Sequence, residues 1–167
     1  DGTFRLPARW KRLADRARAK EEVSFRLVDR KNFQADADRA WDVYNGAWEK
    51  NWGFVPMSHA EFKHMSDMLR LLLLDEFVHF VEIGGEPVGL AISLPDYNLT
   101  LKRVPGGRLP FALPMLLWDR TRIRHGRAMM LGVKDGYRSR GIYPLLIEEA
   151  IQRAHAYGAV EIGRAHV

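Results

Sequence analysis

Leu6, Trp10, Leu13, Ala14 and Ala17 recur at helical spacing around Pro7, which predicts an amphipathic helix at the start of the chain. Val23–Val28, with its β-branched and aromatic residues, predicts a first strand. Phe33, Ala37, Ala40, Trp41, Tyr44, Ala47 and Trp48 then fall on one face of a long helix. Asn51 to Pro56 breaks that helix. Ser58 and Glu61 form an S-x-x-E capping box ahead of the next one, whose buried stripe is Phe62, Met65, Leu69 and Leu72. Phe77–Ile83 and Glu86–Leu94 predict two strands joined by the two-residue hairpin Gly84-Gly85. In the second strand bulky Val88, Leu90, Ile92 and Leu94 alternate with small Gly89, Ala91 and Ser93, a face that a helix, a ligand or another backbone can approach closely. Pro95–Pro114 predicts a long connection holding a short helix at Leu113–Trp118. Arg127–Val133 predicts a strand, Asp135 and Gly136 a turn, and Gly141 onward a last helix with Gly158 at its C-cap. The order of helix, strand, two helices, hairpin, strand and helix specifies a mixed α/β (α+β) fold.

At 167 residues the chain fits one domain. No strictly apolar run is longer than Leu71 to Leu74, far short of the roughly 20 residues of a membrane span. With no cysteine, disulfide scaffolds, thiolate metal sites and cysteine nucleophiles are excluded. A cytoplasmic setting fits that composition. The net charge of +5 is unevenly placed: Asp1–Lys31 carries +5, Asn32–Leu101 −7, Lys102–Arg140 +8 and Gly141–Val167 −1. A basic cluster beside one loop suits a small polyphosphate ligand better than a duplex, whose phosphates call for a stripe of charge.

The stretch Leu131, Gly132, Val133, then Tyr137, Arg138, Ser139, Arg140, Gly141, Ile142 places a strand, a basic glycine-containing turn and a helix start in sequence. Backbone N–H groups at such a turn, added to the positive end of the helix dipole, suit a phosphate or pyrophosphate. Gly141 offers no Cβ to obstruct phosphate oxygens. An ordinary β-to-α turn with two solvated arginines is the competing reading.

The run from Arg138 to Tyr143 resembles motif A of the GNAT-type N-acetyltransferases: Arg or Gln, two residues, Gly, one residue, then Gly or Ala. Tyr143 departs from the sixth position. The element order agrees from Val23 to Ala159, and Asn45–Glu61 is similar to a bacterial subgroup. The resemblance implies a GNAT-like acyl-CoA N-acyltransferase fold, a mostly antiparallel central sheet flanked by helices. It also implies acetyl-CoA as co-substrate, no metal, and transfer of an acetyl or short acyl group to a small-molecule or peptide amine. Leu131, Gly132 and Val133 would bind pantetheine, and Arg138, Ser139, Arg140, Gly141, Ile142 and Tyr143 the pyrophosphate. A backbone N–H near Met130–Gly132 would stabilise oxyanion charge. No base or acid is identified. Asn45, Trp48, Trp52, Asp96 and Asn98, at element ends, are the candidate acceptor-site residues.

Residues 1–22 are expected to be a helical linker or the end of an upstream lobe, and 23–161 the N-terminal and motif A part of the domain. Ile162–Val167 looks like translated read-through of a sequencing adapter, so 162–167 is expected to be a non-native tail. Gly163, Arg164 and His166 would then carry no function, the fold would be incomplete at its C-terminus, and the chain alone inactive. The six histidines show no metal-ligand spacing, and Gly106-Gly-Arg108 lacks the Lys-Ser/Thr of a P-loop. Neither a nucleic acid nor a membrane is expected as partner; a second copy or an upstream lobe stays open. The alternatives to the enzyme are a degenerate lobe that binds coenzyme A without turnover and a basic nucleic-acid-binding module.

Overall fold

In the computed structural model, which describes residues 6–104, 109–159 and 161–164, the chain runs α1 (Ala8–Lys20), β1 (Val23–Leu27), α2 (Phe33–Trp48), α3 (His59–Leu69), β2 (Val78–Ile83), β3 (Glu86–Pro95), α4 (Asn98–Leu101), α5 (Leu109–Asp119), β4 (His125–Val133), α6 (Ile142–Tyr157) and β5 (Glu161–Arg164). The strands form one sheet in the order β1-β2-β3-β4-β5. The first three pairings are antiparallel, and β4 with β5 is parallel. The β2–β3 turn is closed by Gly84 and Gly85 at φ 57° and 82°, the left-handed pair that a tight hairpin of this hand needs. Ser58 caps α3 reciprocally with Glu61.

The sheet is covered on both faces, which is why both the bulky and the small side of β3 are buried. On one face Ala14 and Ala17 of α1 and Ile142, Leu145 and Leu146 of α6 pack with Val81, Val88, Ala91 and Val133. On the other, Phe33, Val43 and Phe62 from α2 and α3 pack with Phe80, Leu90 and Ile92. The small side of β3 admits the helices α1 and α6. The first helix finds its packing partner in α6, where buried Glu148 lies 3.0 Å from both Lys11 and Arg18.

Two details differ from the sequence reading. The helix expected at Leu113–Trp118 begins at Leu109, because Pro110 sits in the first turn, where its missing N–H has no intrahelical partner to lose. The turn after β4 is wound into a 3-10 segment over Asp135–Arg140. In β4, Ile92 faces Met130 while Ser93 faces Ala128, so Met129 is the extra residue of a β-bulge. β5 pairs with His125–Ala128 of β4; Met129–Val133 has no strand on that edge among the described residues. No helix among the described residues is long and apolar enough to cross a membrane.

Candidate functional site

A cavity of about 340 Å³ opens at the C-terminal end of β4, walled by Ala47, Trp48, Leu131, Gly132, Val133, Arg138 and Tyr143. Gly132 lets the Trp48 indole lie on the strand: a Cβ there would stand 2.6 Å from Trp48 Cη2. The Lys134 N–H donates to the Val88 carbonyl at 2.9 Å, which fixes the phase of the pleat. Gly132 and Met130 therefore turn their backbone groups toward β3, while Leu131 and Val133 turn theirs to the open edge. Of the N–H groups from Met130 to Gly132, only that of Leu131 points away from the sheet.

The turn residues diverge around this cavity. Arg138 lines it, with Nη2 donating to the Ala47 carbonyl at the end of α2 and Nε to the Val133 carbonyl at 3.4 Å. Its charge thus sits at the negative end of a helix dipole and is held there, unlike the solvated side chain of the competing reading. Arg140 points elsewhere, 3.4 Å from Glu21 and stacked 4.8 Å over the Tyr137 ring. Ser139 is exposed, and Ile142 is buried in the core, so only its backbone faces the turn. Ile142 and Tyr143 open α6 with N–H groups that have no intrahelical acceptor, and Pro144 follows with none to offer. Gly141 is required for a reason the sequence did not reveal. Its φ is 80°, and a Cβ would stand 2.7 Å from the Leu13 carbonyl of α1. The Cβ vector thus meets a helix, not the space a phosphate would fill. Tyr143, at the departing sixth position, packs edge-on to Trp10 at 6.0 Å, so α1 supplies the partner that makes an aromatic fit there.

The five candidate acceptor residues do not share one pocket. Trp48 belongs to the cavity just described. Asn45 clamps the loop after α2: its amide nitrogen donates to the Met57 carbonyl and its oxygen accepts from the Met57 N–H, both at 3.1 Å. Trp52 is fully exposed. Asp96 and Asn98 line a second cavity of about 620 Å³ with Leu99, Leu101, Lys102 and Arg127. It lies near the other end of β4; Arg127 and Leu131 are roughly 13 Å apart along a strand, with the Met129 bulge between them. Arg127 Nε sits 3.0 Å from the Asp96 carboxylate, which also accepts from the Asn98 N–H at 3.1 Å. Burial pushes the Asp96 carboxyl up, but these two donors outweigh it and hold the group below the usual carboxylate range.

The basic stretch Lys102–Arg140 is not one cluster. Lys134 is neutralised by Asp42 at 2.7 Å and Glu86 at 3.1 Å, whereas Arg120 and Arg122 flank the end of α5, away from the turn. Linear charge counting could not separate the two. Among the described residues no group of His, Asp and Glu is arranged to hold a metal ion. Gly106-Gly-Arg108 and His166 lie outside the described residues, and Gly163 and Arg164 are described only as part of β5.

The strand order β1-β2-β3-β4-β5 with antiparallel β1–β4, a bulged β4 and a turn leading into a covering helix matches the GNAT-type N-acyltransferase fold, and this chain has that fold. Three solved structures share that architecture: a GCN5-related N-acetyltransferase from Sphaerobacter thermophilus (TM-score 0.57, 16% identity, 86% of this chain and 35% of that one), an N-acetyltransferase from Staphylococcus aureus Mu50 (0.51, 16%, 82% and 68%), and the ribosomal-protein-S18-alanine N-acetyltransferase from Escherichia coli (0.50, 14%, 82% and 62%). In sequence, the chain is 33% identical over 147 residues to Protein YghO of Escherichia coli (strain K12), covering 85% of this chain and 37% of that protein. It is 30% identical over 119 residues to the bacterial ceramide synthase of Caulobacter vibrioides, covering 70% and 31%. The chain thus spans about a third of the length of the curated relatives it matches. No family model matches it.

Proposed function

We propose that this chain is the acyl-CoA-binding part of an N-acyltransferase that moves an acyl group from coenzyme A to an amine. The observation that carries this reading is the cavity at the end of β4, where an open strand edge, a fixed guanidinium and the start of a helix converge. An extended amide-bearing arm fits the outward C=O of Leu131 and N–H of Val133 as an added strand. The Arg138 guanidinium and the N–H groups of Ile142 and Tyr143 fit phosphate oxygens. Bound acyl-CoA would supply the acyl group as a thioester: the acceptor, deprotonated to the neutral amine, forms the amide C–N bond as the C–S bond breaks, and the proton it then sheds leaves with the coenzyme A thiol. The Leu131 N–H is placed to donate to negative charge growing on the carbonyl oxygen.

At the other end of β4, roughly 13 Å from Leu131 along the strand, Asp96 is held as a carboxylate and would steer a cationic acceptor toward the cleft without holding the nitrogen that attacks the thioester. Leu99 and Leu101 beside it favour an amine that carries an apolar tail. The name of the Caulobacter relative supports that choice, since a ceramide is an N-acylated long-chain amine, and it extends the acyl group beyond acetyl.

Calorimetry with coenzyme A and with acyl-CoA of several chain lengths, followed by thiol release in the presence of short and long-chain amines, tests the reading. Binding that weakens in Arg138→Ala supports it. Thiol release that needs a long-chain amine supports the acceptor assignment. Absence of coenzyme A binding by the folded chain overturns the proposal, and binding without thiol release by the whole protein favours a degenerate lobe.

A further inference from the structure

The region α4–α5 is built unlike the rest of the surface. Tyr97, Val104, Ala112 and Leu116 form a small separate core beneath it, so α5 has an inner apolar face. Its outer half is apolar as well: Trp118, 68% exposed, shares the outward side with Pro114, and Leu113, 40% exposed, lies on the flank between that side and buried Ala112 and Leu116. On α4, Leu99 is 55% and Leu101 44% exposed. A surface helix with apolar residues all round has a face without a partner.

Charge supplies the second half of the argument. From Lys102 to Arg127 the sequence has seven Lys and Arg and one acidic residue, Asp119. Asp119 is buried and paired with Arg103 and Thr100, so it contributes no negative charge to the surface. Lys102, Arg120 and Arg122 have no carboxylate partner among the described residues, and Arg122 lies 4.2 Å over the Trp118 ring. Exposed Leu and Trp side chains bordered by unpaired cations match an interface between acyl chains and anionic headgroups. A nucleic acid would use the cations and leave the leucines unexplained.

We infer that the α4–α5 surface docks on an anionic lipid bilayer, with Leu99, Leu101, Leu113 and Trp118 entering the headgroup boundary and Lys102 and Arg122 meeting lipid phosphates. The inference shares Leu99, Leu101 and Lys102 with the proposed acceptor cavity, but its test reads lipid partitioning without coenzyme A or amine, so it can fail while the acyl-transfer reading stands. An expectation of no membrane partner follows from the lack of a spanning segment, and surface docking is the case that argument does not reach.

The test is co-sedimentation of the chain with vesicles of phosphatidylcholine alone and of phosphatidylcholine mixed equally with phosphatidylglycerol. Binding to the mixed vesicles only, weakened by salt, is expected. Neutralising two cations in Lys102→Gln/Arg122→Gln should lower partitioning roughly 30-fold. Leu113→Ser/Trp118→Ser should abolish it with the circular dichroism unchanged. Failure to bind the mixed vesicles, equal binding to both kinds, or binding that survives both double variants overturns the inference. So does self-association through the same residues, which would make the partner a second copy, or salt-dependent binding of duplex DNA without vesicle binding.

Discussion

The carbonyl of Leu13 lies 2.7 Å from the point where a Cβ on Gly141 would stand, so α1 and the start of α6 are fitted together at a position that only glycine satisfies. Two penalties combine in Gly141→Ala. The left-handed conformation costs about 1–2 kcal/mol for an L-residue, and the methyl group must push α1 away. The denaturation midpoint should fall, with α1 becoming the first segment to exchange its amide hydrogens. An unchanged midpoint would show that α1 does not dock there. Any loss of coenzyme A binding in this variant reports the docking of α1, which makes Gly141 a poor probe of the phosphate contacts.

Trp48 and Gly132 form a second such pair. Gly132→Ala puts a methyl group inside the indole's volume, while Trp48→Leu removes the obstruction. The two changes should therefore be non-additive by about 0.5–3 kcal/mol, the double variant being less destabilised than the sum of the singles. Urea unfolding of all four proteins measures this coupling. Strict additivity would mean that the ring does not lie over β4.

The helices and the hairpin were legible because their signals are local. Apolar spacing set α2 and α6, the pair Ser58 and Glu61 set the start of α3, and Gly84-Gly85 set the β2–β3 turn. The reasons behind single residues at the site were not local. Gly141 answers to Leu13, Gly132 to Trp48 and Tyr143 to Trp10, each a partner from a distant segment. Asn45 is an acceptor-site candidate from its place near a helix end, and nothing in the sequence says that its amide is matched to the backbone of Met57. The prolines of 95–114 hid the first turn of α5, since a proline in a first turn reads the same as one in a loop.

Asn45→Ala consequently acts on stability. It removes two hydrogen bonds and leaves the partly buried Met57 N–H and carbonyl short of a partner, although Trp41 Nε1 still donates to that carbonyl at 2.7 Å. A loss of about 1–3 kcal/mol is expected, with faster proteolysis in the loop between α2 and α3. A raised acceptor KM with unchanged stability would return Asn45 to the acceptor site.

His79 makes stability depend on pH. It is buried in β2, and neither ring nitrogen has a hydrogen-bond partner among the described residues. Burial, and then the nearby Arg153 charge, hold its pKa down at about 4, against 6.5 for the free side chain. Between those values the unfolded chain binds a proton that the folded chain refuses, so stability present above pH 6.5 is lost as the pH falls toward 4. The loss is on the order of 3 kcal/mol. His79→Leu should flatten the profile across this window and leave the acid sensitivity of the carboxylates below it. A wild-type-like slope in that variant would assign the effect to another group.

Arg138 is the residue whose replacement separates the proposed donor site from a merely structural turn. Its guanidinium touches the Ala47 and Val133 carbonyls and faces Asp135 at 3.9 Å, so removing it loosens the end of α2 as well as the cavity wall. A stability loss alone would follow from either role. A charge-assisted contact to a phosphate is worth about 1.5–3 kcal/mol, which predicts a roughly 10- to 100-fold weaker affinity for coenzyme A in Arg138→Gln. Dephosphorylated pantetheine separates the two roles, because it keeps the strand-like arm and lacks the pyrophosphate. Wild type and variant should bind it equally. An equal loss for both ligands would place Arg138 in the scaffold and move the phosphate site elsewhere on the turn.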